Sequence, residues 1–175
     1  MSSHKSESST PTAALPSVAE LLGCRAGDAD SSQWIQAMAE AGYVHLYAGR
    51  LLDAAAAFEG VMTLAPASVC GYLGLAEVRL GEGRYSEAER LARKAASLPA
   101  AEREEVAYGH RLIAKALRGA HRNSDAEAAL RRAAAIDPSG AQGRAAAATL
   151  EWWQLSERHG VDAKRRRVFA RRIQP

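Results

Sequence analysis

Between about Gln33 and Pro138 the small and apolar residues recur at helical spacing, and they recur as a repeated phrase. "YAGRLLDAAAAFEGVMTLAP" (Tyr47–Pro66) is followed by "GEGRYSEAERLARKAASLP" (Gly81–Pro99), with the same order of turn, small residues and Pro. Gly49 and Gly83, Arg50 and Arg84, Ala54 and Ala88, and Leu64 and Leu98 lie 34 positions apart. A third copy follows with a step of 38, from Ala76 to Ala114, Ala88 to Ala126 and Leu98 to Ile136. The four extra residues belong around "PAAEREE", as a longer loop or a helix extension.

This pattern predicts helix, tight turn, helix in every unit. Gly49 and Gly83 end the first helix in a conformation that side chains disfavour. Ala54, Ala88 and Ala126 follow the turn, where the two helices approach most closely and a small side chain is needed. Gly42, Ala76 and Ala114 serve the same purpose on the first helix. Pro66, Pro99 and Pro138 stop the second. The third turn, "GAHRNSDAEAA", has no Gly at the matching place and offers Asn123 and Ser124 as turn and cap residues.

The flanks read differently. Segment 1–32 is expected to be mostly disordered: Met1 to Thr12 is polar and Ser-rich, with too little apolar surface to offset ordering entropy. Within it, "PSVAELLG" at 16–23 reads as a short amphipathic helix ended by Gly23. Ser31 or Ser32 then caps a helix starting near Gln33. After the units at 33–66, 67–100 and 105–138, segment 139–160 reads as a capping helix. Its expected inward face is Ala141, Ala145, Ala148, Trp152 and Leu155, because the last unit would otherwise leave apolar surface wet. Trp153 then falls about 100° away. Two readings are open for it: packing under the basic tail, or, with Leu150, a second interface for self-association into a homodimer or for a partner.

Composition adds constraints. Hydrophobic residues make up 47% of the 175, with only two Phe, so the core relies on closely packed Ala-rich helices. No run approaches the roughly 18 apolar residues of a membrane span. The N-terminal stretch lacks the apolar run of a secretory signal, and Cys24 and Cys70 match no metal or redox spacing; both point to a reducing, cytoplasmic setting. The abundance of Arg and Ala hints at a GC-rich bacterial source. The net charge of +3 is uneven: tail 161–175 carries Lys164, Arg165, Arg166, Arg167, Arg171 and Arg172 against Asp162. That is +5 in the tail and −2 elsewhere.

Catalytic chemistry has no constellation behind it. "GEGRYS" follows no strand, and the repeat explains both glycines. His45, His110 and His121 show no metal-ligand spacing, and no Ser sits in a nucleophile-elbow pattern. No cofactor, metal or enzymatic activity is expected.

The repeated phrase resembles the tetratricopeptide repeat, whose signature runs Trp-x2-Leu-Gly-x2-Tyr, Ala-x3-Phe, Pro. The first copy reads Met38, Ala41, Gly42, His45, Ala54, Phe58 and Pro66. The second reads Tyr72, Leu75, Ala76, Arg79, Ala88, Ala92 and Pro99, and the third His110, Ile113, Ala114, Leu117, Ala126, Leu130 and Pro138. The resemblance implies an all-α superhelix of about three helix-turn-helix repeats plus a C-terminal capping helix. Its concave wall is formed by the first helix of each unit.

The wall positions are Gln36, Ala39, Tyr43, Leu46 and Tyr47 in unit one. Unit two offers Cys70, Leu73, Glu77 and Leu80, and unit three Tyr108, Arg111, Lys115 and Arg118. They predict an apolar, tyrosine-bearing surface leading into a basic stripe, suited to an extended or helical segment of another protein. Tetratricopeptide co-chaperones that grip a C-terminal Glu-Glu-Val-Asp peptide use a Lys and an Asn at places held here by Ala39 and Tyr43, so that clamp is absent. "LYAGRLLDAAAAFEGVMTLAP" and "YLGLAEVRLGEGRYSEA" are also similar to bacterial type III secretion chaperones for translocator proteins. That resemblance implies that Tyr43, Leu46, Tyr47, Leu73 and Leu80 receive a client segment. The rival expectation places binding in the Arg-rich tail, toward nucleic acid, an acidic protein or an anionic membrane, with the repeats as scaffold.

Overall fold

Seven helices, with no strand among the described residues, follow one another in a computed structural model that describes the backbone of residues 29–172 and the side chains of 32–159. The helix expected at 16–23 lies outside the described residues. The helices are α1 (Ala29–Tyr47), α2 (Leu51–Leu64), α3 (Val69–Gly81), α4 (Tyr85–Ala96), α5 (Arg103–Gly119), α6 (Asn123–Ile136) and α7 (Ala141–Arg172). They pair as α1–α2, α3–α4 and α5–α6, each pair packing on the next, and α7 closes against α5 and α6.

The three turns share one construction. Gly49 and Gly83 adopt φ of 73° and 74°, as the positions of the two glycines predict. In the third turn His121 takes this place with φ 61°. The expectation that Asn123 and Ser124 make that turn is therefore corrected: both lie inside the first turn of α6. In every turn the next residue, an Arg, donates its backbone N–H back to a carbonyl five residues earlier, Arg50 to His45 at 2.9 Å, Arg84 to Arg79 at 2.8 Å and Arg122 to Leu117 at 2.8 Å. These arginines occupy the N-cap positions, but their side chains make no capping hydrogen bond. Their guanidinium groups instead reach an acid three residues on, Asp53 at 3.9 Å, Glu87 at 2.6 Å and Asp125 at 2.7 Å. Exposed pairs of this kind contribute at most about 1 kcal/mol each. The same acids also suit the positive end of the helix dipole.

Small residues let the helices close. Ala54, Ala88 and Ala126 are fully buried, as are Ala76 and Ala114. Gly42 and Gly74 lie on either side of the buried Phe58 ring; a Cβ on Gly42 would come within 2.9 Å of it, and one on Gly74 would overlap it. The four extra residues of the third copy lengthen the first helix: α5 has 17 residues where α3 has 13, and a Glu102–Glu105 capping box sets its start.

The array curves because its two layers pack differently. α1 touches α3, α3 touches α5 and α5 touches α7, whereas α2, α4 and α6 have no comparable direct packing. Helices drawn together on one side and splayed on the other make a superhelix whose concave wall is the α1–α3–α5 layer.

Two expectations about the C-terminal region need correction. The helix does not stop near residue 160: α7 has 32 residues and runs to Arg172, so the basic residues Lys164, Arg165, Arg166, Arg167, Arg171 and Arg172 lie on its backbone. Its inward face is also rotated from the expected one. Gly143, Ala146, Leu150 and Trp153 turn inward, while Trp152 is 67% and Leu155 41% exposed. The start of α7 sets this phase, because Gly143 sits hard against the backbone of Asp137 and leaves no space for a side chain.

Candidate functional site on the concave wall

Side chains from the first helices of the three units, α1, α3 and α5, converge on the concave wall. Tyr43 of α1 lies half-buried with its ring edge toward Phe58, centroids 5.0 Å apart, and stacks on Tyr47 at 6.2 Å. Tyr47 itself is 79% exposed and forms the outward lip of this aromatic pair. The Tyr43 hydroxyl and the Cys70 thiol of α3 are near enough to influence each other's ionisation. Burial, then the neighbouring Cys70 and Glu77, raise the Tyr43 pKa well above the ordinary phenol value. Burial also raises the Cys70 thiol, so it stays protonated and is a poor nucleophile.

Glu77 of α3 accepts a hydrogen bond from the Tyr108 hydroxyl of α5. Burial first, and then this bond and the carboxylate charge, push the Tyr108 pKa up. The Arg111 guanidinium lies over the Tyr108 ring, 5.8 Å from its centroid, and donates to the Gln142 side chain of α7. A half-buried carboxylate thus accepts from one tyrosine and acts by its charge on a second, with a cation one helical turn beyond. Leu46 and Leu80 lie half-buried along the same array, packed against the core. Gln36 is exposed and bonded to Glu40 at 3.0 Å. Lys115 is exposed and makes no ion pair among the described residues.

Three residues singled out in the sequence have other roles. Leu73, expected to receive a partner, is only 4% exposed and packs between α3 and α5, so it belongs to the core. Its place on α3 faces the next unit, a geometry that the spacing of one helix does not reveal. Arg118 is spoken for: its guanidinium lies 4.1 Å above the Trp153 ring and 3.7 Å from Glu157. Trp153 and Leu150, expected as a second interface, instead pack against the core, and the exposed aromatic is Trp152. The basic stripe of the third unit therefore shrinks to Lys115 and part of Arg111, because α7 occupies the rest.

The histidines fall on separate elements. His45 lies 4.0 Å from Asp53, His121 is in the third turn, and His110 faces away toward α4 and α6. There, with Arg93, Arg122, Arg132 and Asp125, it lines a shallow pocket. No group of three metal-ligating side chains is present among the described residues. No described helix is long and apolar enough to cross a membrane.

Sequence reasoning missed the Glu77–Tyr108 pair as a unit. The two residues are 31 positions apart, and only the stacking of α3 on α5 joins them.

The sequence model of the tetratricopeptide repeat matches residues 45–116. No curated protein matches the chain by sequence. Among solved structures, the fold is similar to that of the Yersinia enterocolitica type III secretion translocator chaperone SycD in its alternative dimer. The identity is 19% and the TM-score 0.63, covering 74% of this chain and 98% of that one. It is similar also to PcrH in complex with the chaperone binding region of PopB, at 20% identity and a TM-score of 0.60, covering 73% and 98%. The Arabidopsis OM64 TPR domain aligns at 18% identity with a TM-score of 0.59, covering 69% and 97%.

Proposed function

From a tetratricopeptide-repeat array with this wall, we infer that the protein is a non-catalytic adaptor or chaperone that holds a segment of another protein against α1, α3 and α5. The observation that carries this reading is the convergence of Tyr43, Tyr47, Glu77 and Tyr108 from three helices onto one surface. Tyrosines on a rigid scaffold offer contact area at low entropic cost. The carboxylate of Glu77 and the exposed Lys115 supply polar fixation for a segment's backbone N–H groups and acidic side chains. The client class that fits is an apolar, extended segment of a protein awaiting assembly or export. The fold similarity to SycD and PcrH supports a translocator-type client as the subtype.

Capture from the native lysate tests this with intact protein, a Tyr47→Ala/Leu80→Ala variant and a truncation ending at Gly160. The double variant alters a lip residue and a half-buried residue while leaving Phe58 untouched, and circular dichroism verifies its folding. The expected result is a client retained by the truncation and reduced at least tenfold by the double variant, about 1.4 kcal/mol or more in affinity. Clients lost with the truncation and with moderate salt, but kept by the double variant, would move binding into the basic end of α7.

A further inference from the structure

The outer face of α1 carries the chemistry of a buried helix contact, but no described helix lies on it. Trp34 is 49% and Val44 62% exposed, and Ala37, Ala41 and Ala48 between and beyond them are exposed too. Spaced at three, four and three residues, Trp34, Ala37, Ala41 and Val44 form one apolar stripe along the helix, and Ala48 follows just past its end.

The repeat register shows what such a stripe is for. Ala37 corresponds to Gly71 and Gly109, Ala41 to Leu75 and Ile113, and Val44 to Val78 and Ala116. All six of those counterparts are buried. Gly71 packs against Val61 and Met62 of α2, and Gly109 against Ala92 and Ala96 of α4. In units two and three, then, this face receives the second helix of the preceding unit. Unit one keeps the same small-and-apolar pattern with no preceding unit. A terminal repeat that meets only water has a polar outer face; this one is built to be covered.

We propose that residues 16–22 of the same chain, "PSVAELL", supply the cover. Val18, Leu21 and Leu22 fall at the spacing of one helical face, and Pro16 and Gly23 bracket the segment with start and stop residues. Seven helical residues span about 10 Å, and so do the seven steps from Trp34 to Ala41. Residues 23–28 reach at most about 20 Å when extended. Folding back from Ala29 to the level of Ala37 needs roughly 15 Å, from a rise of 1.5 Å per residue and an interaxial distance of about 9 Å. The small Ala37 and Ala41 allow close approach, and Trp34 and Val44 bracket the contact. The first unit thereby obtains the neighbour that units two and three already have.

Two full-length variants test this. Leu21→Asp/Leu22→Asp is compared with the unaltered chain by hydrogen exchange of the α1 amides and by solution mass at two concentrations. The expected result is exchange about tenfold faster along α1 between Trp34 and Val44, with the mass remaining that of one chain. Independently, Leu21→Cys/Ala37→Cys, with Cys24→Ser, is oxidised and run without reductant; a disulfide within one chain is expected. Unchanged α1 exchange together with no intrachain disulfide would overturn the assignment. So would an interchain disulfide with α1 protection that rises with concentration, which would make a second copy the cover.

Discussion

Glycines and one histidine show how single positions govern this array. Gly74 is buried directly against the Phe58 ring, itself enclosed on all sides, so neither can yield to a new methyl group. Gly74→Ala is expected to cost about 1–3 kcal/mol in denaturant unfolding, the usual penalty for overpacking a core. Gly83→Ala poses a different problem, because space is open there and the cost lies in the positive φ. His121 already meets that cost in the third turn, which explains how the turn survives without Gly. The period alone identified where the turn falls. Which residue adopts the left-handed conformation depended on the backbone hydrogen bonds that close it, and those place His121 there rather than Asn123 or Ser124.

At the level of elements, α7 is the instructive case. Its sequence offers two apolar faces, one with Trp152 and the other with Trp153, and periodicity does not choose between them. The contact of Gly143 with Asp137 and the stacking of Arg118 on Trp153 decide in favour of the second. Truncating the two tryptophans should therefore give unequal results. Trp153→Ala is expected to destabilise by about 2–3 kcal/mol, below the full cost of emptying a core aromatic because the ring is half-buried. Trp152→Ala should change stability by no more than about 0.5 kcal/mol, as surface substitutions do. Equal losses in urea titrations would show that both faces are packed. On the first helices of the units, helical phase puts Tyr43, Glu77 and Tyr108 on the same face, and stacking brings them into one cluster. Leu73 and Arg118 were misplaced because adjacent helices, not their own, determine what covers them.

For the molecule as a whole, one prediction follows from His110. Burial first, and then the Arg132 and Arg93 guanidinium groups, hold its pKa below the ordinary 6.5. The folded state therefore binds a proton less readily than the unfolded chain. The associated stability is fully present above pH 6.5 and is lost as the pH falls through the window beneath it. The denaturation midpoint should drop between pH 7.5 and 5.5, and His110→Gln should flatten that drop. A drop of the same size in the variant would assign the effect to another group. Glu82 acts in the same sense at lower pH. Burial would raise its carboxyl, but hydrogen bonds and charge from Arg79 and Arg84 outweigh that and hold it down.

The sequence by itself determined the repeat, its step of 34 and 38, the helix pairs and the small residues at their closest approach. These follow from local rules, since a period, a turn glycine and a helix-stopping proline act within a few residues of themselves. Only the tertiary structure decided which face of α7 turns inward, that Tyr108 closes on Glu77, that the third unit's cations are partly taken by α7, and that the face of α1 lacks a described neighbour. Each of those depends on how one helix is rotated against another. That rotation is set by packing between residues some thirty positions apart, where no local pattern reaches.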